Sequence, residues 1–345
     1  MKQVIAIAVA ENRTTRRLAR YWAFLCFAYL ITSIVYLQYT YTHGMFSSYS
    51  GTLGGLSPRF LMSRIGLYYS VIFLMGSIFL AFDLRERDKR DRIADVLDSK
   101  PYTNLELVTG RFLGIFLSTW VPIIVLAIIF ELAGLILTGL NSPVGEPIEY
   151  CSLFSFVFIS IIPALSFAIA MVFFITLLVR SRLATTIILI VLMGISEWTI
   201  IKLPLNYGVL CDIIGIRGLK VSSEIITRIA TPEDLLQRLS VLFAAFALLG
   251  FCAAVHPRLD GGSRPKLAFG SVIIMIFAFS LAGMVYYKNI GDIRIRETWE
   301  KAHEALYDKP VPDMIKIAGN IKVSPGKDLL LDLDMTFGAP DKKHF

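Results

Sequence analysis

Two acidic residues stand inside long apolar runs, Glu131 between Phe112 and Leu140 and Glu197 toward the end of Leu183 to Ile201. A carboxylate in hydrocarbon costs several kcal/mol unless it is paired or wet, so by default it faces the bundle or a cavity, where it could serve a polar pathway. Pairing with bases of a neighbouring loop, or exposure at the membrane surface, is the alternative for both. A second constellation lies between Asp83 and Asn104. Glu86 and Arg90 belong to a run of nearly balanced charge, yet Ile93, Val96 and Leu97 fall at the i, i+3, i+4 spacing of one helical face. Pro101 ends that helix, and Thr103 with Glu106 three residues on is a capping box that starts the next. A charged loop with an apolar stripe has something to touch, and a break before a new helix would present it as a rigid knob to a soluble partner. The bland reading is a solvated linker between two apolar hairpins.

Covalent chemistry is not signalled. The chain lacks the GxxxxGK[ST] pattern that cradles nucleotide phosphates, so it does not hydrolyse ATP by itself, and it lacks HExxH and GxSxG. His43, His256, His303 and His344 are scattered one per region, and no metal site follows from them. Cys26, Cys151, Cys211 and Cys252 form no close pair and read as small apolar packers rather than a disulfide framework.

The elements that must position these residues are membrane spans. Of 345 residues, 55% are hydrophobic and 18% charged, and the mean hydropathy is +0.65, an apolar excess that a globular core of this length does not need. The fold class is an all-α polytopic membrane protein. Seven spans are expected: Tyr21 to Tyr41, Ile65 to Phe82, Phe112 to Leu140, Cys151 to Val179, Leu183 to Ile201, Leu239 to Val255 and Leu267 to Tyr287. Each meets or nearly meets the roughly 20 apolar residues that cross a bilayer. The third and fourth are long enough to tilt or break, with Pro122 and Pro163 as the expected places.

Basic residues set the orientation, because Lys and Arg near span ends stay in the cytoplasm. Arg13, Arg16, Arg17 and Arg20 precede the first span, Arg85 to Arg92 follow the second, Arg180 and Arg182 flank the fourth-to-fifth turn, and Arg258, Arg264 and Lys266 precede the seventh. All four clusters fall on one side, which places the N-terminus inside and the C-terminal tail outside. The net charge of +7 belongs to these flanks meeting anionic lipid, and no basic patch with interleaved aromatics suggests nucleic acid. Residues 1–20 resemble a signal peptide, but four arginines follow the short apolar run, so the segment reads as an amphipathic interfacial lead into the first span. ThrProGluAsp at 231–234 reads as the start of a helix.

Beyond the seventh span, Ile293 to Tyr307 is expected to form a helix ended by Pro310 and Pro312. Ile315, Ile317, Ile321 and Val323, a SerProGlyLys turn at 324–327, and Leu331, Leu333, Met335 and Phe337 then alternate as a β-hairpin with one apolar face. Such a hairpin is marginal alone, so that face calls for a partner.

With the arginine-flanked start, the charged loop running ArgIleAlaAspValLeuAspSerLysProTyrThrAsnLeuGlu into GlyArgPheLeuGly, and the span order, the chain resembles the permease subunit of a type 2 ATP-binding cassette transporter over roughly residues 10 to 256. The resemblance implies a six-span exporter bundle at 21–256, with residues 84–100 as the coupling helix that inserts into a separate ATPase subunit. Glu86, Arg90, Ile93, Val96, Leu97 and Pro101 would form that interface, with Gly110 and Arg111 where the third span begins. It implies a second copy of the permease, ATP and magnesium held on the ATPase, and no cofactor in this chain. The span at 257–287 departs from the six-span plan. Together with the small extracytoplasmic tail at 288–345 it is similar to permeases fused to an outward-facing aminopeptidase-like region, although the zinc motif is missing. Two further readings stay open: a mechanotransmitting or scaffolding membrane protein through which nothing crosses, and a membrane anchor for an outer peptidase-like domain.

Overall fold

A computed structural model describes residues 2–46, 71–78, 80, 102–142, 146–179, 181–203, 207, 210, 212, 213, 215, 231–256, 264–307, 314–324 and 328–338. Its helices are α1 (Lys2–Arg16), α2 (Ala19–Phe46), α3 (Asn104–Gly139), α4 (Tyr150–Leu178), α5 (Arg182–Lys202), α6 (Pro232–Val255) and α7 (Arg264–Tyr307). Strands β1 (Met314–Ser324) and β2 (Asp328–Phe337) follow.

Among the described residues five helices, α2, α3, α4, α6 and α7, are long and apolar enough to cross a membrane. This is a multi-pass membrane protein. Helix α5 has 21 residues but a shorter apolar stretch, Leu183–Ser196. Of the expected second span, residues 71–78 form a helix and most of the rest lies outside the described residues.

The contacts of α2 with α3 fix the chain direction. Tyr21 meets Ser118, Tyr29 meets Pro122, and Tyr36 stacks on Phe130 with ring centroids 4.4 Å apart. Partners advance together along both helices, so α2 and α3 are parallel, and the chain between residues 46 and 104 must return the length of the bundle. The helix at 71–78 lies on that return path: Phe73 packs edge-on against Phe24, and Leu74 and Ile78 join the same core. Helix α4 runs back along α3, since Trp120 meets Val157 while Glu131 meets Ile148.

Pro122 does not break its helix. Without an N–H it leaves the Ser118 carbonyl without its helical donor, and the phenol of Tyr21 donates to that oxygen at 3.1 Å. Tyr29 donates to the carbonyl of Pro122 itself at 2.8 Å. The expected break near Pro163 takes the form of a π-helical turn, Ser155–Ser160, just before it. There the Trp120 indole donates to the Val157 carbonyl at 3.2 Å, a bond that ties α3 to the π-helical turn.

Helix α6 packs on α7, α4 and α3. Ala245, Ala247, Cys252 and Ala253 are fully buried along it, the small side chains that let helices approach in lipid. The Ser240 hydroxyl donates to the Ala278 carbonyl at 2.9 Å, and Lys288 pairs with Glu233, so α7 runs antiparallel to α6.

The tail differs from expectation in one respect. The seventh span and the helix expected at 293–307 are one uninterrupted helix, because nothing between Tyr287 and Ile293 stops it: a single Gly inside a helix costs only about 1 kcal/mol. The hairpin is present and antiparallel, pairing Ile317 with Met335, Ile321 with Leu331 and Val323 with Leu329. These residues share one face, and all are exposed.

Candidate functional site

The residues expected to touch an ATPase, Glu86, Arg90, Ile93, Val96, Leu97 and Pro101, lie outside the described residues. What the structure describes is the mount into which that loop leads. Thr103 has extended backbone, its hydroxyl accepts the Glu106 N–H at 3.2 Å, and the Glu106 carboxylate accepts the Thr103 N–H at 3.0 Å. Both halves of the capping box are made, so α3 starts with its first orphan donors satisfied.

Helix α1 braces that start. Ile7 packs on Gly110 and Glu11 on Gly114, one turn apart on each helix. A Cβ on Gly114 would stand 2.6 Å from the Glu11 Cβ and 2.8 Å from the Ala8 carbonyl oxygen, so only glycine allows this approach. Ala8, Glu11 and Thr15 form the buried face of α1, while Ile5 and Val9 are exposed. The result is a two-helix support at the residues that directly follow the charged loop.

Glu131 is 9% exposed and faces the bundle. Its Oε2 accepts the Ile148 N–H at 2.7 Å, where the chain returns toward α4, and Ile148 is itself buried. Gly134, one turn along, makes room for the returning backbone: a Cβ there would lie 2.5 Å from the Glu146 carbonyl oxygen. A backbone N–H at membrane depth needs an internal acceptor, and Glu131 supplies one. Its Oε1, and the Tyr36 phenol oxygen on α2, are buried with no hydrogen-bond partner among the described residues. Glu197 stands on α5, and its side chain lies outside the described residues. The two acids are therefore not brought together by anything described.

Sequence reading missed a third polar cluster. Arg238 on α6 is 4% exposed, and its guanidinium lies 3.6 Å from the Asp212 carboxylate. The same guanidinium donates to the Ile213 carbonyl at 3.0 Å, to the Asp212 carbonyl and to the Gln237 amide oxygen. Gln237 in turn donates to the Asp212 carbonyl at 2.8 Å, and Asp212 accepts the Gly215 N–H at 2.7 Å. Gly215 has φ of +90°, a conformation that suits glycine. Helix α6 thus clasps the segment that follows α5. Its start is itself fixed by a second capping box, Thr231 with Asp234, as the ThrProGluAsp pattern predicts.

Ile213 also lines an apolar cavity of about 90 Å³ with Leu74, Phe167, Met171, Leu189 and Ser196, so the clasp borders the junction of α4, α5 and the 71–78 helix. Among the described residues no three His, Cys, Asp or Glu side chains come together to hold a metal ion. Compared with family models and with curated proteins, the chain matches none.

Proposed function

We propose that this chain is the permease subunit of an ATP-driven exporter in a cell membrane, working as a dimer with two copies of a separate ATPase. The N-terminus and the 84–100 loop face the ATPase in the cytoplasm, and the hairpin tail lies outside. Closure of the ATPase pair rocks the loop, and alternating access follows from that motion. The chain supplies a pathway and no covalent chemistry.

The observation that carries this reading is how α3 begins. A reciprocal capping box at Thr103 and Glu106, two residues after Pro101, joins the loop to a helix that continues unbroken to Gly139. Helix α1 packs against its first turns. A push delivered at 84–100 therefore meets a braced rod instead of a slack linker. The parallel α2 and α3 agree with the same plan, since α3 begins at the α1 end.

Leu97→Asp tests the reading. Burying one Leu in a protein contact is worth roughly 1.5 to 3 kcal/mol, so the variant loses at least about tenfold in affinity for the ATPase. Asp91→Asn, expected on the opposite face, changes it little. The measurement is co-purification with the ATPase, with membrane insertion checked alongside. Normal insertion with full ATPase binding would make the loop a linker and end the proposal.

A further inference from the structure

The outer end of α7 carries an apolar stripe that nothing described covers. Ile295, Trp299, Ala302 and Leu306 all lie in the exposed stretch, and Trp299 is 70% exposed. Helices in water take most of their stability from packing an apolar face, so this one calls for a partner. The four residues follow one another at intervals of four, three and four, the 3.5-residue repeat of a coiled-coil seam. At roughly 100° per residue they span only about 60° of the helix surface, whereas a helix seated on a globular core shows a stripe of about 100° or more. A seam this narrow fits one other helix lying alongside.

Height and charge say which helix that is. Lys288 pairs with Glu233 in the first turn of α6, so the stripe stands beyond the start of the helix that α7 packs on inside the bundle. Insertion holds every copy of a membrane protein the same way up, so α7 of a second copy stands parallel to the first, at the same height, with like residues facing across a two-fold axis along the membrane normal. From Lys288 to Tyr307 the chain carries four bases, Lys288, Arg294, Arg296 and Lys301, and four acids, Asp292, Glu297, Glu300 and Glu304. The shaft is neutral, so a like copy is not repelled. Beside the seam stand Arg296, Thr298, His303 and Ala305, and Arg296 is bound along its own helix to Glu300 at 3.2 Å. Like charges are therefore not opposed at the contact.

We infer that the α7 shafts of two copies pair in parallel through Ile295, Trp299, Ala302 and Leu306. The hairpin agrees with the same axis. Paired helices lie about 8–10 Å apart and stacked sheets about 10 Å, so shafts joined in this way space two hairpins for packing apolar face to apolar face. This names a contact for the dimer of the proposed function. It rests on that dimer and needs nothing from the ATPase.

Cysteine cross-linking of the full-length chain in membranes tests this, with Cys26, Cys151, Cys211 and Cys252 replaced by alanine. Single cysteines are placed in the seam, as Trp299→Cys, Ala302→Cys or Leu306→Cys, and on the outward face, as Glu297→Cys or Glu304→Cys. A disulfide needs Cβ atoms about 3.5–4.5 Å apart, so under mild oxidation the seam positions form dimers at least about fivefold faster than the outward ones. Equal rates around the helix, or a maximum at Glu297 and Glu304, would overturn the inference. A seam cysteine shielded from maleimide yet giving no dimer would mean that the hairpin or another protein covers the stripe, and would overturn it too. Native mass spectrometry separates this failure from that of the dimer: dimers without seam cross-links remove the contact alone, whereas monomers throughout remove both. Should Ala302→Cys fail to accumulate, pyrene attached at Leu306→Cys decides. Excimer emission in reconstituted vesicles, lost on dilution with excess unlabelled chain before reconstitution, supports the pairing, and monomer emission alone overturns it.

Discussion

The Glu131 carboxylate accepts the backbone N–H of Ile148 at 2.7 Å, seventeen residues further along the chain. One acid inside an apolar helix thus holds the turn between two membrane helices, and its cost in hydrocarbon is offset by the N–H it satisfies.

Replacing Glu131 by Leu leaves that buried N–H without an acceptor, a loss of about 1–3 kcal/mol. Glu131→Gln keeps an acceptor of the same shape and loses about 1 kcal/mol or less. Thermal unfolding in detergent should rank the chains as unaltered, then Gln, then Leu. Equal midpoints for all three would show that the bond contributes nothing.

Breaking the Arg238 clasp has a larger effect, because removing one partner leaves the other charge buried. Arg238→Met should cost about 3–5 kcal/mol, and adding Asp212→Asn should recover part of it. Limited trypsin digestion reads this at Arg217, Lys220 and Arg228. Cleavage there should quicken in the single variant and slow again in the double. No change in cleavage would mean that the clasp does not hold the segment.

Gly114→Ala forces α1 away from α3 and should destabilise by about 1–3 kcal/mol as an overpacked contact. Gly139→Ala is the control, since a Cβ there meets nothing within 4 Å. Under the proposed function Gly114→Ala also weakens the response to the ATPase, read as ATP hydrolysis stimulated by the permease, while Gly139→Ala does not. If the two variants behave alike, the brace is unimportant.

For topology, a cysteine-accessibility scan in intact cells should label positions 91 and 181 only after the membrane is opened, and positions 142 and 320 from outside. Labelling of position 320 only from within would remove the crossing by α7 or invert the whole arrangement.

What the sequence revealed and what it hid follow from the range of the interactions. The capping box at Thr103 and the helix start at Thr231 were legible because each signal is complete within four residues. The hairpin was legible because alternation is a property of the strand itself. The partner of Glu131 was not, since a backbone N–H has no residue type to recognise. The pairing of Arg238 with Asp212 was not legible, because a contact across 26 residues with a glycine at positive φ leaves no local pattern. The continuity of α7 between Tyr287 and Ile293 was not foreseen, although the next proline is Pro310.

That continuity makes α7 a lever. From Lys288 to Tyr307 it runs 20 residues past the expected membrane stretch, roughly 30 Å at 1.5 Å per residue. Every residue from Arg294 to Tyr307 is exposed, and Arg296 pairs with Glu300 along the shaft at 3.2 Å. Its fulcrum lies at the bundle edge: Lys288 with Glu233, and Tyr286 with Tyr207, hold α7 where it leaves the bundle. A lean of about 10° at that point would carry the tip sideways by about 5 Å, as the length of a rigid helix dictates. The hairpin, with its bare apolar face, would sweep through the same arc, so a small rearrangement in the membrane would reach whatever covers that face as a displacement larger than the one that began it.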